Sequence, residues 1–233
     1  MKKQYYLVLG LILLVLTATA QEKAFQFGFK LGPSMGWIKP DSDGYERIGV
    51  NAGFNWGFVA DIHLMENYSV QTGFNVIYVN GTYSFPHLTN PTEESSALVT
   101  GKMERAIHLK YIQIPAVLRM KTEEMQGFTI YGEAGLALGL NTSAKADDVF
   151  TADNNVRKEI NNTNITKQIR FTRESLILGA GVYYNLGGSS KLTAGMRFDN
   201  NIFDILKDQN SVKPEIENKG IANFLELQIG LLF

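Results

Sequence analysis

Ile221-Ala222-Asn223-Phe224-Leu225-Glu226-Leu227-Gln228-Ile229-Gly230-Leu231-Leu232-Phe233 closes the chain. Successive side chains of an extended segment point to opposite faces. Ile221, Leu225, Leu227, Ile229, Leu231 and Phe233 therefore share one side, opposite Ala222, Glu226, Gln228 and Gly230. A strand that is oily outside and polar inside, ending on an aromatic residue, is what an outer-membrane barrel presents to its assembly machinery. This reading makes Leu227, Ile229, Leu231 and Phe233 an assembly signal. It also requires the rest of the chain to repeat the pattern.

Working back from that end, period-2 alternation bounded by turn residues predicts eight strands. They run over Phe25 to Trp37, Gly49 to Leu64, Tyr68 to Tyr83, Ile107 to Lys121, Phe128 to Asn141, Phe171 to Tyr184, Lys191 to Ile202 and Ile221 to Phe233. Met65 to Asn67, Thr122 to Gly127 and Asn185 to Ser190 are short connections. Ile38 to Ile48, Ser84 to Ala106, Thr142 to Arg170 and Phe203 to Gly220 are long and polar. Strict alternation of long and short is how extracellular loops and periplasmic turns follow one another around an outer-membrane barrel. The expected fold is all-β: an antiparallel, up-and-down transmembrane β-barrel with periplasmic termini and four long extracellular loops. Phe25, Tyr68, Phe128, Tyr184 and Phe233 stand at its short-turn end on the apolar face, where an aromatic girdle belongs.

The start of the chain suits export. Met1-Lys2-Lys3 is basic, Leu7 to Leu16 is apolar, and Ala18-Thr19-Ala20 offers small residues before Gln21. That order predicts a signal peptide over 1–20, cut between Ala20 and Gln21, and a barrel domain over 21–233. The absence of cysteine excludes a lipid anchor on a thiol, disulfides and thiolate metal sites. A formal net charge of -1 argues against a nucleic-acid partner. Hydrophobic content of 45% is ordinary for a soluble protein, because alternating strands hide a lipid face from averaged hydropathy.

The inward face follows from the same alternation. An eight-stranded barrel is only wide enough to be filled by its own side chains, so inward glycines must make room for large inward groups. Lys30, Asp61, Arg119, Glu133, Arg173, Arg197, Asp199 and Glu226 all fall inward, with Tyr131 beside them. Charges without bulk water must pair, so these residues are expected to form a polar network. The lumen reads as a polar core rather than a channel.

Several stretches resemble the PorT-type outer-membrane β-barrel domain family of Gram-negative bacteria. They are Phe29-Lys30-Leu31-Gly32, Gly57-Phe58-Val59-Ala60, Tyr131-Gly132-Glu133-Ala134-Gly135, Leu178 to Tyr184 and, most specifically, Leu109-Lys110-Tyr111-Ile112-Gln113-Ile114-Pro115-Ala116-Val117-Leu118. A proline inside a spanning strand is unusual and belongs at a bulge or a strand edge. The resemblance covers nearly all of the chain after the leader. It implies a barrel without catalytic residues or cofactor, with a structural or accessory role; some relatives serve the type IX protein secretion apparatus. The partners then expected are outer-membrane lipid, the barrel-assembly machinery, and secretion-system or cell-surface proteins.

Two other function classes have residues to name. A small passive channel would need an open lumen. A lipid-modifying enzyme at the rim would need a nucleophile and base within hydrogen-bond reach, and Ser84, His87 and His108, with Ser95, Ser96 and Glu104 nearby in sequence, are the candidates. Asp41-Ser42-Asp43-Gly44-Tyr45-Glu46 begins like a calcium loop but lacks the later bidentate glutamate, so it reads as a solvated turn. His63 reads as a structural inward histidine near a periplasmic turn. The loop Thr142 to Arg170 reads as a mobile polar cover for the barrel mouth.

Overall fold

The two ends of the sheet meet where Phe27 and Phe233 exchange backbone hydrogen bonds of 3.2 and 2.8 Å. The computed structural model describes residues 25–90, 98–154, 156–207 and 209–233. The leader and its cleavage residues Ala18, Ala20 and Gln21, together with Ser95 and Ser96, lie outside the described residues.

The strands are β1 (Phe25–Pro40), β2 (Glu46–Met65), β3 (Tyr68–Thr89), β4 (Val99–Lys121), β5 (Phe128–Ala152), β6 (Arg157–Asn164), β7 (Thr172–Gly187), β8 (Ser190–Asn201) and β9 (Gly220–Leu232). Each of the eight strands other than β6 pairs antiparallel with its chain neighbours, and β9 pairs back with β1. The ring is closed, so it leaves no free edge in the lipid. Burial on β1 follows the alternation: Phe25, Phe27, Phe29 and Leu31 face out while Gln26, Gly28, Lys30 and Gly32 are buried. On β4 the outward apolar run from Ile112 to Met120 is the length that a tilted strand needs to cross a bilayer. The girdle residues Phe25, Tyr68, Phe128, Tyr184 and Phe233 are all exposed, with the Phe128 and Tyr184 rings 4.8 Å apart.

Two of the long extracellular connections are built differently from the sequence reading. The β3–β4 ladder continues past the membrane through Phe85↔Met103 to Thr89↔Val99. Thr142 to Arg170 is not a mobile cover: β5 runs on to Ala152, and β6 folds back along it. The reason is a second, hidden alternation. Ala144, Ala146, Asp148, Phe150 and Ala152 turn inward, and the polar residues between them face solvent rather than lipid. Asn162 adopts a left-handed backbone (φ 59°) at the bulge in β6, its N–H held by Asp147 Oδ1 at 2.7 Å.

Pro115 pairs with Ala137 on the β5 side, while the β3–β4 ladder lapses between Gln71↔Val117 and Asn75↔Gln113. Its missing donor falls in that lapse, opposite Gly73, whose φ of 144° suits glycine. A second irregularity, between Val50 and Trp56 on β2, is bridged by side chains. Asn55 Oδ1 accepts the Tyr78 N–H at 3.0 Å, and Asn80 Nδ2 donates to Ala52 O at 2.7 Å.

Candidate functional site

The lumen has two tiers. In the lower one, on the periplasmic side, Glu133 accepts from Arg197 Nε at 2.7 Å and Nη2 at 3.0 Å and from Arg119 Nε at 2.8 Å. Arg119 also lies 3.8 Å from Asp61 and hydrogen-bonds Tyr183, whose hydroxyl donates to Asp61 at 3.2 Å. Lys30 donates to both Glu226 oxygens at 3.1 and 3.2 Å and to Gln228, which reaches the Tyr131 hydroxyl at 3.4 Å. The Arg119 guanidinium stacks over the Tyr131 ring at 4.5 Å, joining this pair to the Glu133 cluster. A separate group sits higher, where Arg173 donates to Asp199 at 2.6 Å and Gln113 donates to the other Asp199 oxygen at 2.8 Å. Every one of these charged side chains is buried. Glycine makes the room: a Cβ on Gly181 or Gly195 would stand 2.5 or 2.6 Å from the Tyr131 hydroxyl.

Above Arg173 the lumen changes character. Ile38, Ile77, Val79, Ile107, Leu109 and Phe224 point inward and pack with Ile165, Ile169, Ile205 and Leu206 from the extracellular connections. The expectation of a polar interior is therefore corrected for the upper half, which is an apolar plug. Two contacts close it. β1 and β3, which are not neighbours in the ring, touch through their backbones: a Cβ on Gly36 would lie 2.5 Å from Asn80 O, and one on Gly81 2.7 Å from Ile38 N. Across the top, Ile169 bridges Leu206 and Arg170 N–H donates to Ile205 O at 2.8 Å.

The extracellular mouth is stitched by polar side chains. Asp148 grips Arg105 at two points, Oδ1 to Nε and Oδ2 to Nη2, both at 2.7 Å, and Arg105 Nη1 donates to Gln168 at 2.6 Å. Tyr45 stacks on Phe85 at 5.1 Å, hydrogen-bonds Asn218 and accepts from Asn210, which also donates to Pro86 O at 3.1 Å. Burial pushes the Tyr83 hydroxyl up to about 12, against the pull of Arg105. Ser211 Oγ accepts the Leu88 N–H at 3.0 Å and lies within hydrogen-bond reach of His87 Nδ1, at 2.8 Å. Burial, and then the Arg105 charge, lower the His87 pKa, with Asp148 opposing. The space left among these residues is only about 90 Å³.

A sequence model of the outer membrane protein beta-barrel domain matches residues 19–207. The chain belongs to that family. Among solved structures it is similar to Neisserial surface protein A at 12% identity, over 90% of this chain and 96% of that one, with a TM-score of 0.47. Ail, the attachment invasion locus protein of Yersinia pestis, aligns at 14% identity over 89% and 98% with a TM-score of 0.36. OprG from Pseudomonas aeruginosa aligns at 12% over 91% and 97% with a TM-score of 0.41. No curated protein matches the chain in sequence.

In this outer-membrane barrel the described rim candidates Ser84, His87 and His108 do not converge. Ser84 and His87 are an odd number of positions apart on β3, which puts them on opposite faces. His108 lies on the outer face against Asp147 at 3.1 Å, and Ser84 sits in the ladder opposite Glu104. Among the described residues, the serine that meets His87 is Ser211, from the last extracellular connection. His63 lines a chamber at the periplasmic mouth together with Lys121 and Lys191. The Asp41 to Glu46 stretch is a turn in which Ser42 Oγ donates to Glu217 O at 2.8 Å. No grouping of acidic or imidazole side chains fit for a metal occurs among the described residues. Gln71, Gln113, Tyr183 and Gln228, which hydrogen-bond the lumen charges, fall inward by strand parity, whereas Ser211 carries no such signal.

Proposed function

We propose that this barrel is a sealed accessory protein of the outer membrane, acting through contact with partners rather than through conduction. The apolar plug carries the reading. A passive channel needs a continuous wet path, and side chains such as Ile38, Ile107, Leu109 and Phe224, each fully buried or nearly so, would bar an ion from crossing the upper lumen. The surface offered to a partner is the raised sheet of β3, β4, β5 and β6 with the connections that cap it. The stretches shared with PorT-type barrels support a sharper version, an accessory part in type IX-like protein secretion or envelope assembly. Export by a leader removed after Ala20, and delivery to the barrel-assembly machinery by the Leu227 to Phe233 strand, belong to the same reading.

Two measurements test it. In a planar bilayer the protein should give no sustained conductance; a steady current whose selectivity changes in Glu133→Gln or Arg173→Met would replace this reading with a channel. Crosslinking from the raised sheet in intact cells should capture a defined envelope protein, and a surface that captures none would remove the accessory role.

A further inference from the structure

The periplasmic mouth opens into a chamber of about 570 Å³ below the Asp61 cluster. Its inner wall is short of negative charge. Lys121 and Lys191 line it, and in the layer directly behind them Lys30, Arg119 and Arg197 face Asp61, Glu133 and Glu226, so that five cations stand against three anions. Lys121 Nζ stands 3.8 Å from Asp61 Oδ2, the oxygen that also faces Arg119 at 3.8 Å and accepts from Tyr183. Lys191 makes no ion pair among the described residues and acts on Lys121 as a neighbouring like charge. The outer ring has the opposite sign. Glu66, Glu123 and Glu124 line the same chamber from the exposed periplasmic turns.

We infer that this chamber receives the free carboxylate end of a periplasmic polypeptide, with Lys121 and Lys191 taking the carboxylate and the turn glutamates favouring neutral or basic residues behind it. A concave wall of one sign concentrates the opposite charge, and carboxylate pairing to ammonium groups is the stronger class of hydrogen bond. A free dianion or a polyanion meets the glutamate ring first and is repelled. A single carboxylate on a neutral or basic chain satisfies both rings. The inference is independent of the sealed upper lumen and of any extracellular partner.

The test uses the mature barrel in detergent micelles and follows the backbone amides of Thr129 and Lys191 by NMR. The probes are acetyl-Gly-Lys-Gly with a free carboxylate, the same peptide as its C-terminal amide, and inorganic phosphate. The acid should give saturable shifts and the amide should not. Lys191→Gln, which breaks no ion pair and so leaves the fold intact, should weaken the acid about tenfold, the loss of one charge-assisted contact. Equal binding of acid and amide, or unchanged binding in Lys191→Gln and Lys121→Gln, would overturn the inference. Phosphate binding as tightly as the peptide acid would overturn it too, by assigning the chamber to free oxyanions.

Discussion

Arg197 lays two nitrogens of its guanidinium on the two oxygens of Glu133, at 2.7 and 3.0 Å, while Arg119 shares the second oxygen. One carboxylate thus holds two cations in a space without bulk solvent. Glu133→Gln should lower barrel stability by about 3 to 5 kcal/mol, because it strands buried charge that the glutamine cannot neutralise. The change is read from the denaturant midpoint at which the heat-modifiable gel band is lost. Glu133→Gln with Arg197→Met should cost less than the sum of the single changes, since contacting sites are not additive. Strict additivity would mean that the pair does not act as one unit.

The closure of the upper lumen makes a separate prediction. At Gly81 an added Cβ meets Ile38 N at 2.7 Å and Ile38 Cγ1 at 2.8 Å, and backbone cannot move aside as a flexible side chain can. Gly81→Val should therefore destabilise by roughly 1 to 3 kcal/mol or more, the range for overpacking a filled interior. Gly187→Ala sits in an exposed turn, where nothing crowds the added atom and only the left-handed φ of 101° opposes it. It should cost less. Reversal of that order in paired unfolding curves would show that β1 and β3 do not press together.

The mouth should loosen in acid. Burial and Arg105 lower the pKa of His87, so the folded protein keeps the ring neutral where the unfolded chain, near 6.5, already takes a proton. The unfolded state then binds more protons as pH falls through that range, and stability drops. Protonation also places a positive charge on the ring beside Arg105 and makes Nδ1 a donor towards Ser211 Oγ, 2.8 Å away. Leu88 N–H is held by the same hydroxyl, so its hydrogen exchange, corrected for the intrinsic pH effect, should accelerate as pH falls below the unfolded histidine value. In His87→Phe that dependence should flatten. Asp147 works in the same direction more weakly: the Asn162 N–H holds its pKa low, so its contribution is present above the unfolded value and fades as pH falls through the folded one.

How far the sequence revealed this molecule depends on which tier is considered. Glu133 lies in a strand whose partners alternate cleanly, Leu136 and Leu138 out and Tyr131 and Gly135 in, so parity alone places it in the lumen. Ile77 and Val79 lie in Phe74 to Val79, where both faces carry apolar side chains and parity loses its contrast. Their burial depends on Ile205 and Leu206, which arrive from a distant connection. The stretch Ala144 to Ala152 does alternate, but Lys145, Asp147, Asp148 and Thr151 give it the polar composition of a loop, and Asp148 interrupts its inward face. Asp148 is there for Arg105, across the sheet on β4, and a partner that remote in sequence leaves no local trace.

Phe233 separates stability from assembly. Its ring is exposed on the outer face, 6.3 Å from that of Phe29, and its backbone pairs with Phe27 whatever the side chain. Truncation to alanine removes apolar area contributing on the order of 2 kcal/mol at most, and the backbone bonds that close the ring remain. Barrels of Phe233→Ala that do form should therefore unfold within a short interval of the wild type in urea. If the terminal strand is read during assembly, the amount of folded protein reaching the outer membrane should fall several-fold, well beyond what that modest loss explains. Leu225→Ala, on the same outward face but away from the terminus, provides the control, since it removes comparable apolar area without touching the end of the strand. Equal yields for the two variants would show that Phe233 is one lipid-facing side chain among many. A yield lost only in Phe233→Ala, with both unfolding curves alike, would place its role in assembly.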